Sequence, residues 1–363
     1  MRIDLIKRPE QSKVMAVASP LLAIGLTLVT GLIVFAAIGV PPLKGLWVYF
    51  VEPLTSVWSL EKLAIKAAPL VMIAAGLSVA YRANVWNIGA EGQLTMGAIF
   101  GSAVPILFNS WQSPLTIIAM LILGAIGGML WAAIPAILKV RTGANEILTS
   151  LMLVYVAQLV LDWLVRGPWR DPNGHNFPKS VTFEDWQKLP TFGTTDIHYG
   201  VALAVLAAIA LWIVMSFTLK GFEVRVLGTA PRAGAFAGFS PDRMVMFAFL
   251  VSGGLAGLAG ICELAGPVEE LQPSISPGYG FTAIIVAFLG RLNPIGVIVA
   301  GLALGVSYLG GEEAHSAFGI SDKAARVFQG LLLFYILACD TLILYRIEIS
   351  GRRAAAGKPG AAA

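Results

Sequence analysis

Ten apolar segments fill most of this chain, and none carries a charged side chain in its middle third. Long uncharged apolar stretches are read as membrane-spanning helices. The chain is therefore expected to be an all-α polytopic membrane protein. Composition agrees: 57% of residues are hydrophobic, 13% are charged and the mean hydropathy is +0.79. Soluble domains carry about a quarter charged residues. The segments run Val14 to Val40, Ala67 to Ala80, Gly89 to Phe108, Leu115 to Leu138 and Ile147 to Val165. Tyr199 to Leu219, Met244 to Cys262, Tyr279 to Gly290, Ile295 to Gly310 and Val327 to Cys339 follow. The implied layout is an N-terminal segment 1–13, a membrane domain 14–346 and a flexible tail 347–363. An outer loop 166–197 and an inner loop 220–241 interrupt the membrane domain.

Charge sets the orientation. With the N-terminus inside, the inner segments hold 16 of the 25 lysines and arginines, and the outer ones 13 of the 21 acids. Basic loops stay cytoplasmic, so both termini are placed inside, as an even helix count requires. The basic start is not expected to be a cleaved signal, because the apolar run after it is too long. Cys262 and Cys339 lie in apolar segments and read as small hydrophobes. No histidine has metal-ligand spacing.

A weak repeat at an offset of 180 pairs Ser113-Pro114-Leu115 with Asn293-Pro294-Ile295, and Leu151 to Tyr155 with Leu331 to Tyr335. The matched helices run in opposite directions. Two inverted halves are expected, an arrangement that recurs in transporters with the solute path at the interface of the halves.

Three segments carry functional expectations. The segment Tyr279 to Gly290 is too short to cross a bilayer: at roughly 1.5 Å per residue it covers about 18 Å of a core of about 30 Å. The chain before it either dips into the membrane or forms an ordinary outer loop. In the first reading Gln272, Ser274, Ser276 and Tyr279 line a path, because irregular backbone at membrane depth must border protein or water. Asn87, Glu91 and Gln93 form the most polar start of any segment, placed at the cytoplasmic side. They either cap and anchor a helix or line the path. In the inner loop, Pro231 suits a first helical turn and Gly238 a helix end. A short helix from Ala230 to Ala237 is expected, either as a docking element for a soluble partner or as an interface helix. Asp162, Glu263 and Asp340 lie near segment ends, within reach of interfacial water. An ionisable group at mid-membrane, usual in ion-coupled transporters, is missing from the pattern, so the energy source is placed in another polypeptide.

Asn87-Ile88-Gly89-Ala90-Glu91-Gly92-Gln93 leads a set of family-like motifs. The others are Gly221-Phe222-Glu223-Val224-Arg225-Val226-Leu227-Gly228, Pro231-Arg232-Ala233, Leu271-Gln272-Pro273, Gly278 to Ile284 and Leu289 to Pro294. This set resembles the permease subunits of ABC importers that take up branched-chain amino acids, ribose and simple sugars. The asparagine-isoleucine-glycine and glycine-tyrosine-glycine-phenylalanine segments look most like nucleoside (guanosine-type) permeases. The resemblance implies a subunit of the bacterial inner (plasma) membrane that translocates a nucleoside or related sugar-bearing solute and is not itself an enzyme. It implies a cytoplasmic ABC ATPase, which binds the ATP and Mg, since no cofactor is expected on this chain. It also implies a paralogous second permease (or a second copy of this chain) and an extracytoplasmic binding protein or lipoprotein. No nucleic acid polymer is a partner. On the resemblance, Glu223 to Gly238 is the coupling helix that fits an ATPase groove, with Gly221, Glu223, Arg225, Gly228, Pro231, Arg232, Phe236 and Gly238 as its residues. Branched-chain amino acid and ribose cargo remain alternatives. So does an ion-coupled secondary transporter; an intramembrane enzyme finds no paired catalytic groups.

Overall fold

The computed structural model describes residues 2–7, 13–108, 110–321 and 323–350. In chain order the elements are β1 (Arg2–Lys7), α1 (Lys13–Ile38), α2 (Pro42–Phe50), α3 (Val57–Arg82), α4 (Ala90–Leu107), α5 (Leu115–Thr142), α6 (Glu146–Arg166) and α7 (Tyr199–Phe217). Then come α8 (Leu219–Thr229), α9 (Pro231–Phe236), α10 (Pro241–Glu263), α11 (Tyr279–Leu289), α12 (Pro294–Phe318), α13 (Lys323–Leu344) and β2 (Tyr345–Ser350). Seven described helices are long and apolar enough to cross a membrane, and α11 is a shorter apolar helix. The protein is thus a multi-helix membrane protein.

Several boundaries differ from the sequence expectation. α3 begins at Val57, ten residues before the expected Ala67, and carries Glu61, Lys62 and Lys66 on its early turns. At roughly 1.5 Å per residue its 26 residues span about 39 Å. That exceeds a hydrocarbon core of about 30 Å, so these charges can lie beyond the apolar layer. There they pair: Lys62 with Asp196 at 3.1 Å and Lys66 with Glu312 at 2.9 Å. α12 runs on past Gly310 through Glu312 and Glu313 for the same reason. The helix α2 was not expected, and the chain is not purely α-helical. β1 and β2 pair antiparallel from Arg2↔Ser350 to Lys7↔Tyr345. So residues 2–7, expected in the N-terminal segment, and residues 345–350, expected at the end of the membrane domain and the start of the tail, form a ribbon. The expected tail from Gly351 lies outside the described residues.

The contacts divide the chain into two units, Met1–Trp47 with Phe318–Ala363, and Val48–Ala317. In the first, α1 and α13 pack together. The Phe35 and Phe328 rings lie 5.4 Å apart and the Thr30 and Tyr335 hydroxyls hydrogen-bond at 2.7 Å.

In the second unit α4, α5 and α10 meet along a seam of small residues. A Cβ on Gly257 would lie 2.3 Å from the Gly124 carbonyl oxygen and 2.8 Å from Gly128 Cα. Only glycine permits such backbone approach, as at many helix contacts in membranes. α3 lies along α10 and buries Leu70, Met72, Ile73 and Leu77. Outer faces of α5, α6 and α7 expose Ile118, Ile122, Leu130, Leu159 and Leu206, as suits helices solvated by lipid.

Candidate functional site

α4 and α11 correspond in their local design. Each is preceded by non-helical chain, residues 83–89 and 269–278, and the first turns of the two helices touch. The amide of Gly280 donates to Glu91 Oε2 at 2.6 Å, and a Cβ on Gly280 would lie 2.3 Å from the Glu91 nitrogen. Glu91 is 3% exposed. A carboxylate suits this place, because helix N-termini present unpaired N–H groups and partial positive charge.

Residues 83–89 climb into the protein rather than skirting it. Asn84 takes a left-handed conformation (φ 56°) that turns the chain out of α3. Tyr81, Trp86 and Phe288 then stack, with the Tyr81 and Phe288 rings 5.5 Å apart. Asn87 ends at 0% exposure. Its amide nitrogen donates to Gln93 Oε1 and to Ser252 Oγ, both at 2.8 Å. Its amide oxygen accepts from Gln93 Nε2 and from the Gly89 amide, both at 3.0 Å. The two side-chain amides thus pair reciprocally, and Asn87 has both its donors and its oxygen engaged, as buried polar groups require. Ser252 sits 11 residues into α10 from Pro241, about 16 Å along its axis. The Asn87 cluster therefore lies well inside the bundle, not at the cytoplasmic edge where the sequence placed it.

A second polar layer lies 11 residues further along α10. Glu263 ends this helix, and a π-helical turn, Leu264–Val268, follows at once. Interfacial water was expected to reach Glu263; instead its residue is only 6% exposed. Tyr279 Oη donates to Glu263 Oε1 at 3.3 Å. The Tyr279 and Tyr308 rings lie 5.4 Å apart, and the Tyr308 and Thr282 hydroxyls hydrogen-bond at 2.8 Å. Of the other expected path residues, Ser276 Oγ accepts from the amides of Gly278 and Tyr279 at 3.1 and 2.9 Å. Gln272 is half-buried and Ser274 is exposed. The structure joins Asn87 to Gln93, and Glu91 to the start of α11, but brings neither Gln272 nor Ser274 to them. Sequence reasoning missed Ser252, Thr282 and Tyr308, and discounted Glu263. Asp162 is held by Arg166 at 2.7 Å; the Asp340 side chain lies outside the described residues. Glu91 and Glu263 are thus buried at helix ends rather than solvated.

The loop 166–197 lies against the chain after α10. Ser180 and Leu271 exchange two hydrogen bonds, the Phe183 amide donates to the Glu269 carbonyl and the Leu189 amide to the Ala265 carbonyl. Lys179 pairs with Glu270 at 2.9 Å and Lys188 with Glu269 at 2.8 Å. These hydrogen bonds to carboxylates raise both lysine pKa values. Where the loop ends, His198 caps α7: its Nδ1 accepts from the Gly200 amide at 3.2 Å. Among the described residues its buried Nε2 finds no partner, nor does the buried Trp186 Nε1. Burial lowers the His198 pKa to about 4.

The segment between α7 and α10, where one short helix was expected, forms two. α8 holds Gly221, Glu223, Arg225 and Gly228. Thr218 caps it, accepting from the Gly221 amide, Lys220 pairs with Glu223 at 2.5 Å, and Arg225 Nη1 donates to the Met215 carbonyl at 2.5 Å. A Cβ on Gly228 would lie 1.9 Å from the Arg82 carbonyl oxygen, so α8 is pressed onto the end of α3. α9 then opens with Pro231 and stops at Gly238, whose φ is +87°. Arg232 is exposed, and Phe236 is 94% exposed.

Residues 59–337 match the family described as branched-chain amino acid transport system / permease component. A glucose ABC transporter permease protein of Haloferax volcanii is 35% identical over 93% of this chain and 91% of its own length. A nucleoside ABC transporter permease protein of Lactococcus lactis is 28% identical over 90% of this chain and 92% of its own. A guanosine ABC transporter permease protein of Bacillus subtilis is 27% identical over 87% of this chain and 92% of its own. A bundle of apolar helices broken at α4 and α11, with an exposed inner elbow, is in keeping with that kinship. The chain belongs to the branched-chain amino acid permease family: it is the membrane-spanning permease subunit of an ABC importer, a transport component and not an enzyme.

Proposed function

We propose that this chain forms part of the conduit for an uncharged, hydroxyl-rich solute, a nucleoside or a simple sugar. The ATPase meets it at α9. The relatives are named for glucose, nucleosides and guanosine, all neutral polyols or ribosides at physiological pH. The Thr282 and Tyr308 hydroxyls beside the start of α11 suit hydrogen-bonding cargo. ABC permeases of this family work with an ATPase and a substrate-binding protein. For this chain we propose a paralogous permease or a second copy as its companion, a lipoprotein or periplasmic protein as its binding protein, and ATP with Mg on the ATPase. Residues 14–346 would be the membrane domain, in a plasma membrane, with both termini and the 220–241 loop in the cytoplasm. The loop 166–197 would then face outward, over the mouth.

One observation carries the coupling role: the side chain of Phe236, on a six-residue helix set next to α8, is almost wholly exposed. A large apolar side chain held in water marks a surface that a partner covers. α8 passes the load to α3 through Gly228. The test is co-purification with the ATPase after replacing residues 231–238 with a Gly/Ser linker, and after Phe236→Ala. Both variants are expected to insert normally and to lose most of the ATPase. Wild-type recovery of ATPase with the linker variant would reject the assignment.

A further inference from the structure

We propose that Glu263, with Tyr279 and Tyr308, is a solute-binding station at the outer end of the conduit, selecting neutral solutes that carry vicinal hydroxyls. This rests on the cargo class proposed above and names the residues that read it.

Glu263 is the anomaly that calls for a ligand. An ionised carboxylate offers about four acceptor positions, and burying it with those unfilled is costly. Among the described residues its one hydrogen bond is the 3.3 Å contact from Tyr279 Oη. The charged groups that act on it are Lys66 and Glu312. Lys66 is already committed to Glu312 at 2.9 Å, so Glu263 has no cation of its own.

The backbone around it is built irregularly. α10 passes into a π-helical turn directly after Glu263, with Pro267 inside that turn. Such turns recur at functional sites. α11 begins anew at Tyr279, after Gly278 at φ +103°. Breaks between helices are where transporters place their binding groups. The position is thus flanked by two discontinuities from different parts of the chain.

The chemistry then selects the ligand. Two adjacent hydroxyls can donate together to the two oxygens of one carboxylate. Tyr279 and Tyr308 supply aromatic faces beside it, with the Tyr308–Thr282 hydroxyl pair as a further polar contact. Burying a phosphate or carboxylate beside this carboxyl is costly, whichever form the carboxyl takes. The site therefore favours a riboside or sugar over its phosphate. The Asn87–Gln93–Ser252 cluster, with its own bonds closed, lies about 16 Å deeper along α10.

The experiment uses the complete importer, permease with ATPase in proteoliposomes, with binding protein at saturation. Initial uptake rates are read for guanosine, 2′,3′-dideoxyguanosine and glucose. The wild type is expected to move guanosine faster than its dideoxy analogue. Glu263→Gln, similar in size, is expected to cut the guanosine-to-dideoxyguanosine rate ratio by about tenfold, the worth of a charge-assisted hydrogen bond. Glu263→Asp, which keeps the charge, is expected to restore part of the ratio. Co-purification with the ATPase verifies folding of each variant. An equal fall for both nucleosides, or no change in the ratio, would overturn the station while leaving the cargo class standing. A wild-type importer that moves neither guanosine nor glucose would overturn the cargo class and the station together.

Discussion

Gly228→Ala is the sharpest test of the load path from the inner elbow into the bundle. The new methyl would sit 1.9 Å from the Arg82 carbonyl oxygen and 2.9 Å from its carbon, whereas ordinary contact begins at 3.4 Å. The obstacle is backbone at the end of α3, which cannot rotate aside as a side chain would. α8 must move by more than an ångström, or the last turn of α3 must open. Overpacking of this kind costs about 1–3 kcal/mol, and rigid neighbours put this case near the upper end. Alanine regains about 1 kcal/mol over glycine in a helix interior, so a net loss of about 1–2 kcal/mol is expected. Gly25→Ala is the internal control: Gly25 lies in α1 and a Cβ there meets nothing within 4 Å. It should gain up to about 1 kcal/mol from the same propensity. Denaturant titration of both variants in mixed micelles should separate them by about 2–3 kcal/mol. Transport should fall in the Gly228 variant more than ATP hydrolysis does, because α8 is displaced from α3 while α9 keeps its surface. Equal stability of the two variants would refute the close packing of α8 on α3, and with it the route by which movement at Phe236 reaches the conduit.

The amide pair offers a second measurement. Asn87→Ala and Gln93→Ala each leave the other amide buried and unsatisfied, at a cost of about 1–3 kcal/mol each. The double variant should be less damaging than the two losses added, with a coupling of about 1–2 kcal/mol; strict additivity would mean the two amides do not meet. His198 gives a pH dependence. Burial holds its folded pKa at about 4, below the ordinary 6.5. Its stabilising contribution is complete above pH 6.5, declines as pH falls from 6.5 toward 4 and changes no further below that. Protease cleavage within 166–197 should therefore rise over that interval, and His198→Asn, which also caps helices, should flatten the rise. An unchanged pH profile in that variant would place the sensitivity elsewhere.

Helix existence was legible in the sequence, and helix length was not. Apolar runs were cut wherever a charge appeared, so α3 lost its first turns and α12 its last. In the fold those charges pair near the helix ends, Lys62 with Asp196 and Lys66 with Glu312. Their partners come from distant parts of the chain, and a local window cannot see them. α2 was hidden for another reason. Its nine residues, Pro42–Phe50, are too few to raise a periodic signal. α9 was read nearly as it is, because Pro231 and Gly238 act through their own backbone preferences, whereas α8 before it was not expected.

The polar residues failed and succeeded by the same logic. Asn87, Glu91 and Gln93 stood out as a polar run beside glycines, but their depth could not be read locally. Depth is set by Ser252, 165 positions away, to which Asn87 binds. Glu263 was discounted because carboxylates at helix ends usually meet water. That inference holds for a helix end on a free surface. Here the outer loop bonds to the backbone from Ala265 to Leu271, and Tyr279 lies on the carboxylate. Whether a charge near a helix end is solvated or stranded is decided by what the rest of the chain lays over it. A hydropathy profile assigns Asp162 and Glu263 the same role. The fold gives the first an arginine at 2.7 Å and the second a lone phenol at 3.3 Å. That difference in hydrogen bonding separates a paired charge from the group proposed above as a solute-binding station.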